Sequence, residues 1–175
     1  EDITGTGGGP GGIVGYRAGE SGTFYMSGCT NSGTISGQYA GGIAGRQAGQ
    51  SQTGPGSATF VNCTNTGLIS GQYAGGIVGL SGGGFDGLVS ITNCSSIGDI
   101  NGQYAGGIAG GFFADSTSRN CVISQCYSTG AISGNNAGGI VGAYVGYTDI
   151  SSIIPNVNIT NSYSLGAIAT TCGGI

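Results

Sequence analysis

The chain has no histidine, lysine or tryptophan, and only three prolines and one methionine among its 175 residues. Three arginines and seven acidic residues are its only charges, for a formal net charge of −4. Isolated arginines cannot form the basic stripe that a nucleic acid requires, so no nucleic-acid partner is expected. No apolar run approaches the roughly 20 residues of a membrane span, and none is expected. With no His and no Cys-x-x-Cys pair, a zinc centre is not expected, and no cofactor is expected. General acid–base chemistry needs a pair of titratable groups within reach of a substrate. Outside the N-terminus and the loops defined below, only Asp99 carries a carboxylate, so the chain is not expected to be an enzyme. The first residue is Glu and no signal peptide is visible, which fits either a processed chain or a piece of a longer one.

Glycine is abundant, at 42 residues, and its placement is regular. A doublet followed by isoleucine recurs at Gly11-Gly12-Ile13, Gly41-Gly42-Ile43, Gly75-Gly76-Ile77, Gly106-Gly107-Ile108, Gly138-Gly139-Ile140 and Gly173-Gly174-Ile175. The steps between these isoleucines are 30, 34, 31, 32 and 35 residues. A period of this size marks a solenoid, in which one supersecondary unit stacks on the next to share a core. Within each repeat a second column reads Cys29, Cys63, Cys94, Cys126 and Ser162. Three residues before it lie Met26, Phe60, Ile91, Ile123 and Ile159, and five before it Phe24, Ala58, Val89, Cys121 and Val157. That alternation predicts a strand with one buried face. Six residues after the Cys column stands Ile35, Ile69, Ile100, Ile132 or Ile168, two residues beyond a fixed glycine that predicts a corner or a close backbone approach. The doublet is expected to supply a third strand. Helix is disfavoured, since each glycine costs about 1 kcal/mol relative to Ala. The predicted fold is all-β: a parallel β-solenoid of about five coils of 30–35 residues, three short strands per coil, forming one domain over 1–175. Tyr39, Tyr73 and Tyr104, with Gln38, Gln72 and Gln103, are expected to stack into rows at one corner, as stabilising ladders or as a sugar platform.

Phrases such as Gly138-Gly-Ile-Val-Gly142, Asn161-Ser-Tyr-Ser-Leu-Gly-Ala-Ile168 and Cys126-Tyr-Ser-Thr-Gly-Ala-Ile-Ser-Gly134 resemble the GLUG-motif repeats of microbial surface proteins, over nearly the whole chain. The resemblance implies a secreted or surface-attached, adhesin-like protein. It carries no catalytic residue. This chain has Cys where that motif commonly has Ser.

Six cysteines in so weakly charged a chain suggest an oxidising, extracellular setting. Equivalent positions of stacked coils lie about 4.8 Å apart, within disulfide range. Pairs Cys29–Cys63 and Cys94–Cys126 are therefore geometrically allowed, with Cys121 and Cys172 left over. The other reading is a ladder of unbonded, buried thiols. Three Asn-x-Ser/Thr sequons, at Asn62, Asn93 and Asn158, should face outward and offer N-glycosylation sites in a eukaryotic secretory route. Segments 16–23, 46–57, 80–88, 111–120 and 143–156 differ in length and read as loops on one face of the solenoid. They hold Arg17, Glu20, Arg46, Asp86, Asp115, Arg119 and Asp149. Tyr16, Arg17, Phe85, Phe112, Phe113, Tyr144 and Tyr147 are candidate contacts along this edge, or else fold back over the core.

The ends direct the functional expectation. Ile3-Thr4-Gly5 matches part of a repeat, and the chain stops just after another doublet, so neither end shows a cap. Open ends expose strand edges and core, and head-to-tail stacking of copies would bury them at Ile3, Ile13, Ile168 and Ile175. The leading expectation is a structural, extracellular solenoid that builds a filament or stalk from copies of itself. The alternative is a surface adhesin or ligand-binding module for glycans or ice, or a fragment of a longer repeat protein. For ice, the outward column Thr34, Leu68, Asp99, Ala131 and Ala167 lacks a regular Thr array.

Overall fold

A computed structural model describes residues 3–4, 8–51, 54–115, 120–148 and 155–169. Cys172, Ile175, Arg119 and Asp149 lie outside the described residues. The chain winds as a parallel β-solenoid of about five coils, with no helix among the described residues.

Three five-stranded parallel sheets run up the stack. One holds Thr23–Ser27, Ser57–Val61, Leu88–Thr92, Cys121–Ser124 and Val157–Thr160. Its burial alternates along each strand: Ala58 and Phe60 point in, Ser57, Thr59 and Val61 out. The second sheet holds the two-residue strands after the Cys column, from Thr30–Asn31 to Tyr163–Ser164. The third holds Ile3–Thr4, Ile35–Ser36, Ile69–Ser70, Ile100–Asn101 and Ile132–Ser133. Register is fixed by side-chain identity, so that Ile35 pairs with Ile69, Ile69 with Ile100, and Ile100 with Ile132. A one-residue slip would turn each isoleucine to solvent.

Three strands per coil are present, but the doublet is not one of them. It pairs through isolated bridges at its first glycine and at the residue three further on, such as Gly41 to Gly75 and Ala44 to Val78. Its second glycine makes room for an interior polar column. A Cβ on Gly42 would collide with the Gly76 carbonyl and come within 2.7 Å of Asn65 Oδ1. In that column Asn31 Nδ2 donates to Asn65 Oδ1 at 2.8 Å, and each Asn also donates to a backbone carbonyl of its own coil. Ser96 and Ser128 continue the column. Two dry clusters complete the core. The larger combines Ile43, Ile77, Ile108 and Ile140 with Phe60, Ile91, Ile123 and the cysteines. The smaller alternates Ile35, Ile69, Ile100 and Ile132 with Ala40, Ala74, Ala105 and Ala137.

The fixed glycine two residues before the third-sheet isoleucine serves close approach: a Cβ on Gly67 would strike the Gly33 carbonyl below it. Left-handed backbone is carried instead by non-glycine residues at three corners. These are Tyr39, Tyr73, Tyr104 and Asn136 (φ 57–68°); Asn62, Asn93, Gln125 and Asn161 (φ 50–55°); and Arg17, Gln47, Ser81, Phe112 and Tyr144 (φ 55–64°).

Candidate functional site

The last of these corners corrects the expectation of irregular loops after the doublet. The residue four places past the doublet's isoleucine is left-handed in every coil, and its amide bonds to the next coil where one follows. Gln47 N–H donates to Leu80 O at 2.8 Å, Ser81 N–H to Gly111 O at 3.1 Å, and Phe112 N–H to Ala143 O at 2.9 Å. The start of each supposed loop is therefore another stacked segment. Its next residue points inward, as Ala18, Ala48, Gly82, Phe113 or Val145. Phe113 is fully buried and so is no edge contact; Tyr16, Phe85, Tyr144 and Tyr147 are exposed, while Arg17 and Phe112 are half-buried.

This segment runs beside the tyrosine corner and the two merge into one aromatic array. Tyr73 stacks on Tyr104 with centroids 4.8 Å apart, and Phe112 on Tyr144 at 4.6 Å. Tilted contacts of Tyr73 with Phe112 (5.7 Å) and of Tyr104 with Tyr144 (5.6 Å) join the two stacks. Tyr39 extends the tyrosine row at 5.9 Å, and Tyr147 meets Phe112 edge-on. The stacked rings of Tyr73 and Tyr104, and of Phe112 and Tyr144, turn faces to one another. At the lower end two arginines cap the array. The Arg46 guanidinium sits 4.9 Å from the Tyr39 ring centroid and 5.8 Å from that of Tyr16, which Arg17 also covers at 4.7 Å. Arg17 is neutralised by Glu20 at 2.8 Å and donates to Gln47 Oε1 at 3.4 Å. Among the described residues no carboxylate lies within ion-pair distance of Arg46, and its buried Nε has no acceptor.

Between the two rows opens a cleft of about 310 Å³, lined by Tyr39, Arg46, Gln47, Tyr73, Leu80, Ser81, Phe85, Phe112 and Asp115. Exposed Phe85 forms part of its rim. Ser81 Oγ donates to Asp115 Oδ2 at 3.3 Å. Of these residues the sequence marks the aromatics and the charges, but not Gln47, Leu80 or Ser81. Counting a fixed distance from each doublet would have found them.

The cysteines form a ladder of unbonded thiols: Cys29, Cys63, Cys94, Cys121 and Cys126 are all free, so neither allowed disulfide pair is made. Each thiol of the main column finds a carbonyl two residues back, as Cys94 Sγ to Thr92 O at 3.3 Å and Cys126 Sγ to Ser124 O at 3.2 Å. Cys63 N–H donates across coils to Cys94 Sγ at 3.3 Å. Burial pushes the Cys63 and Cys121 thiols up to about 11. Cys94 is raised as well, by the hydrogen bond it shares with Cys126 and by burial. These groups are protonated near neutrality and poor nucleophiles. Among the described residues no cluster of three His, Cys, Asp or Glu is placed to hold a metal ion.

Asn158 is exposed as alternation requires, whereas Asn62 and Asn93, in phase with inward Phe60 and Ile91, are exposed because the chain turns a left-handed corner there. Asn62 and Asn93 sit on the left-handed corner before the Cys column, and Asn93 Nδ2 donates to Asn62 Oδ1 at 2.6 Å. At the stack's two faces, Ile3 and Ile168 are half-buried and Ile13 is exposed. Comparison with known proteins finds no family model, no curated protein and no solved structure that matches this chain.

Proposed function

We propose that this chain is a non-enzymatic, extracellular structural β-solenoid, of the kind its GLUG-like repeats suggest, that stacks head-to-tail with copies of itself into a filament or stalk. The observation that carries this reading is the unequal burial of one column. Ile43, Ile77, Ile108 and Ile140 are fully buried, whereas Ile13, in the same column of the first coil, is 45% exposed. At the opposite face Val157 and Ile159 are half-buried where Val89, Ile91, Cys121 and Ile123 are fully buried. Successive coils repeat the same columns with the same in-register pairing, so the last coil of one copy matches the first coil of another column for column. A contact that joins opposite faces does not close, and grows into a filament. Parallel strand edges supply hydrogen bonds for the joint, and the isoleucine columns supply dry area.

Sedimentation velocity over a concentration series tests the reading. Wild type should form a ladder of oligomers, and Ile168→Glu or Ile13→Glu should remain a single species with unchanged circular dichroism. Oligomers undiminished in both variants would exclude the end-to-end joint.

A further inference from the structure

We propose that the cleft between the tyrosine corner and the post-doublet corner binds a sugar bearing a carboxylate, with the acid group held by Arg46. The inference stands apart from the filament reading, and either can fail alone. Arg46 is the reason for the carboxylate. It lines the cleft, its guanidinium is held between the rings of Tyr16 and Tyr39, and no carboxylate among the described residues pairs with it. A guanidinium fixed by aromatic rings has lost little freedom still to lose, and its planar fork fits a carboxylate in two hydrogen bonds. Arg17 adds no competing site, because Glu20 already takes its charge.

The rest of the lining specifies what carries the carboxylate. Gln47, Ser81, Asp115, Tyr39 and Tyr73 bring hydrogen-bonding side chains to one small space, and Leu80, Phe85 and Phe112 give it apolar walls. A ligand rich in hydroxyls meets these groups; an aliphatic acid would desolvate them without return. Asp115 accepts from hydroxyls and disfavours a polyanion such as a phosphate ester. At about 310 Å³ the cleft sits at the low end of small-molecule sites, the size of a sugar unit or two rather than of a protein segment. Because Tyr73 stacks on Tyr104 and Phe112 on Tyr144, the sugar's apolar contacts fall on Phe85 and Leu80.

Isothermal titration of the whole protein with sialyllactose and with galacturonate, each beside its neutral counterpart lactose or galactose, decides the matter. The expected result is binding of at least one acidic sugar, at least about tenfold tighter than its neutral counterpart. Which acidic sugar binds separates a sialic-acid from a uronic-acid source. Arg46→Gln should weaken that binding by roughly ten- to a hundredfold with an unchanged melting curve. Phe85→Ala, at the exposed rim, should weaken it several-fold and serves if the Arg46 variant fails to fold. Binding of neither acidic sugar, equal binding of a neutral counterpart, or acidic binding indifferent to a folded Arg46→Gln variant or, where that variant does not fold, to Phe85→Ala would overturn the assignment.

Discussion

Left-handed backbone at a tyrosine costs about 1–2 kcal/mol, yet Tyr39, Tyr73 and Tyr104 all adopt it. Stacking offsets the cost. Each of these residues donates its amide to the next coil, at 2.9, 2.8 and 2.9 Å, and each ring lies against its neighbour. Stacking also makes the glycines in and around the doublet unequal in tolerance to a methyl group. Gly42→Ala drives a Cβ into the Gly76 carbonyl and Asn65, while Gly15 faces open space. The expected outcome in urea melts is a loss of about 2 kcal/mol or more for Gly42→Ala, or failure to fold, and a change within about 0.5 kcal/mol for Gly15→Ala. The cysteines give a pH signature. With folded values of about 11 for Cys63 and Cys121 against 9.0 for a free thiol, the native state holds protons that the unfolded chain releases. Stability should therefore be insensitive to these groups below pH 9.0 and fall as pH rises from there through about 11. Melting temperatures followed upward from neutrality check this; a constant value to pH 11 contradicts it. Iodoacetamide should leave Cys63, Cys94, Cys121 and Cys126 unmodified until the protein unfolds.

At the level of the coil, columns and period were legible because identical side chains recur at identical offsets. The Cys-column strand and the third-sheet strand follow from alternation and from a fixed isoleucine. Two things were hidden. The doublet reads as a strand because it is short and apolar, whereas its second glycine is there for the Asn31 and Asn65 ladder, a contact between segments distant within a repeat. The segment after the doublet reads as loop because its corner is Arg, Gln, Ser, Phe or Tyr by turns, and no residue type signals left-handed backbone there. The cleft was missed for that reason: its aromatics and charges were visible, their convergence was not. Three substitutions probe the coil. Ile77→Ala, fully buried, should cost about 2–5 kcal/mol, and Ile13→Ala, on the exposed face, under about 1 kcal/mol in monomer. Asn65→Ala removes the acceptor of Asn31 Nδ2 and should cost about 1–3 kcal/mol. Chemical denaturation of each variant measures these losses.

For the whole molecule, uniform pairing from coil to coil makes the stack a one-dimensional object whose growth direction is built in. The isoleucine columns run along that direction, so joining copies would lengthen them, while the Tyr and Gln ladders end at Asn136 and Asn135 and the aromatic cleft would recur at regular intervals along a fibre. Electron microscopy of the purified protein at neutral pH is the most direct test of that account. Five coils at about 4.8 Å each predict filaments with an axial repeat near ~24 Å. Dispersed single particles at every concentration would contradict head-to-tail stacking.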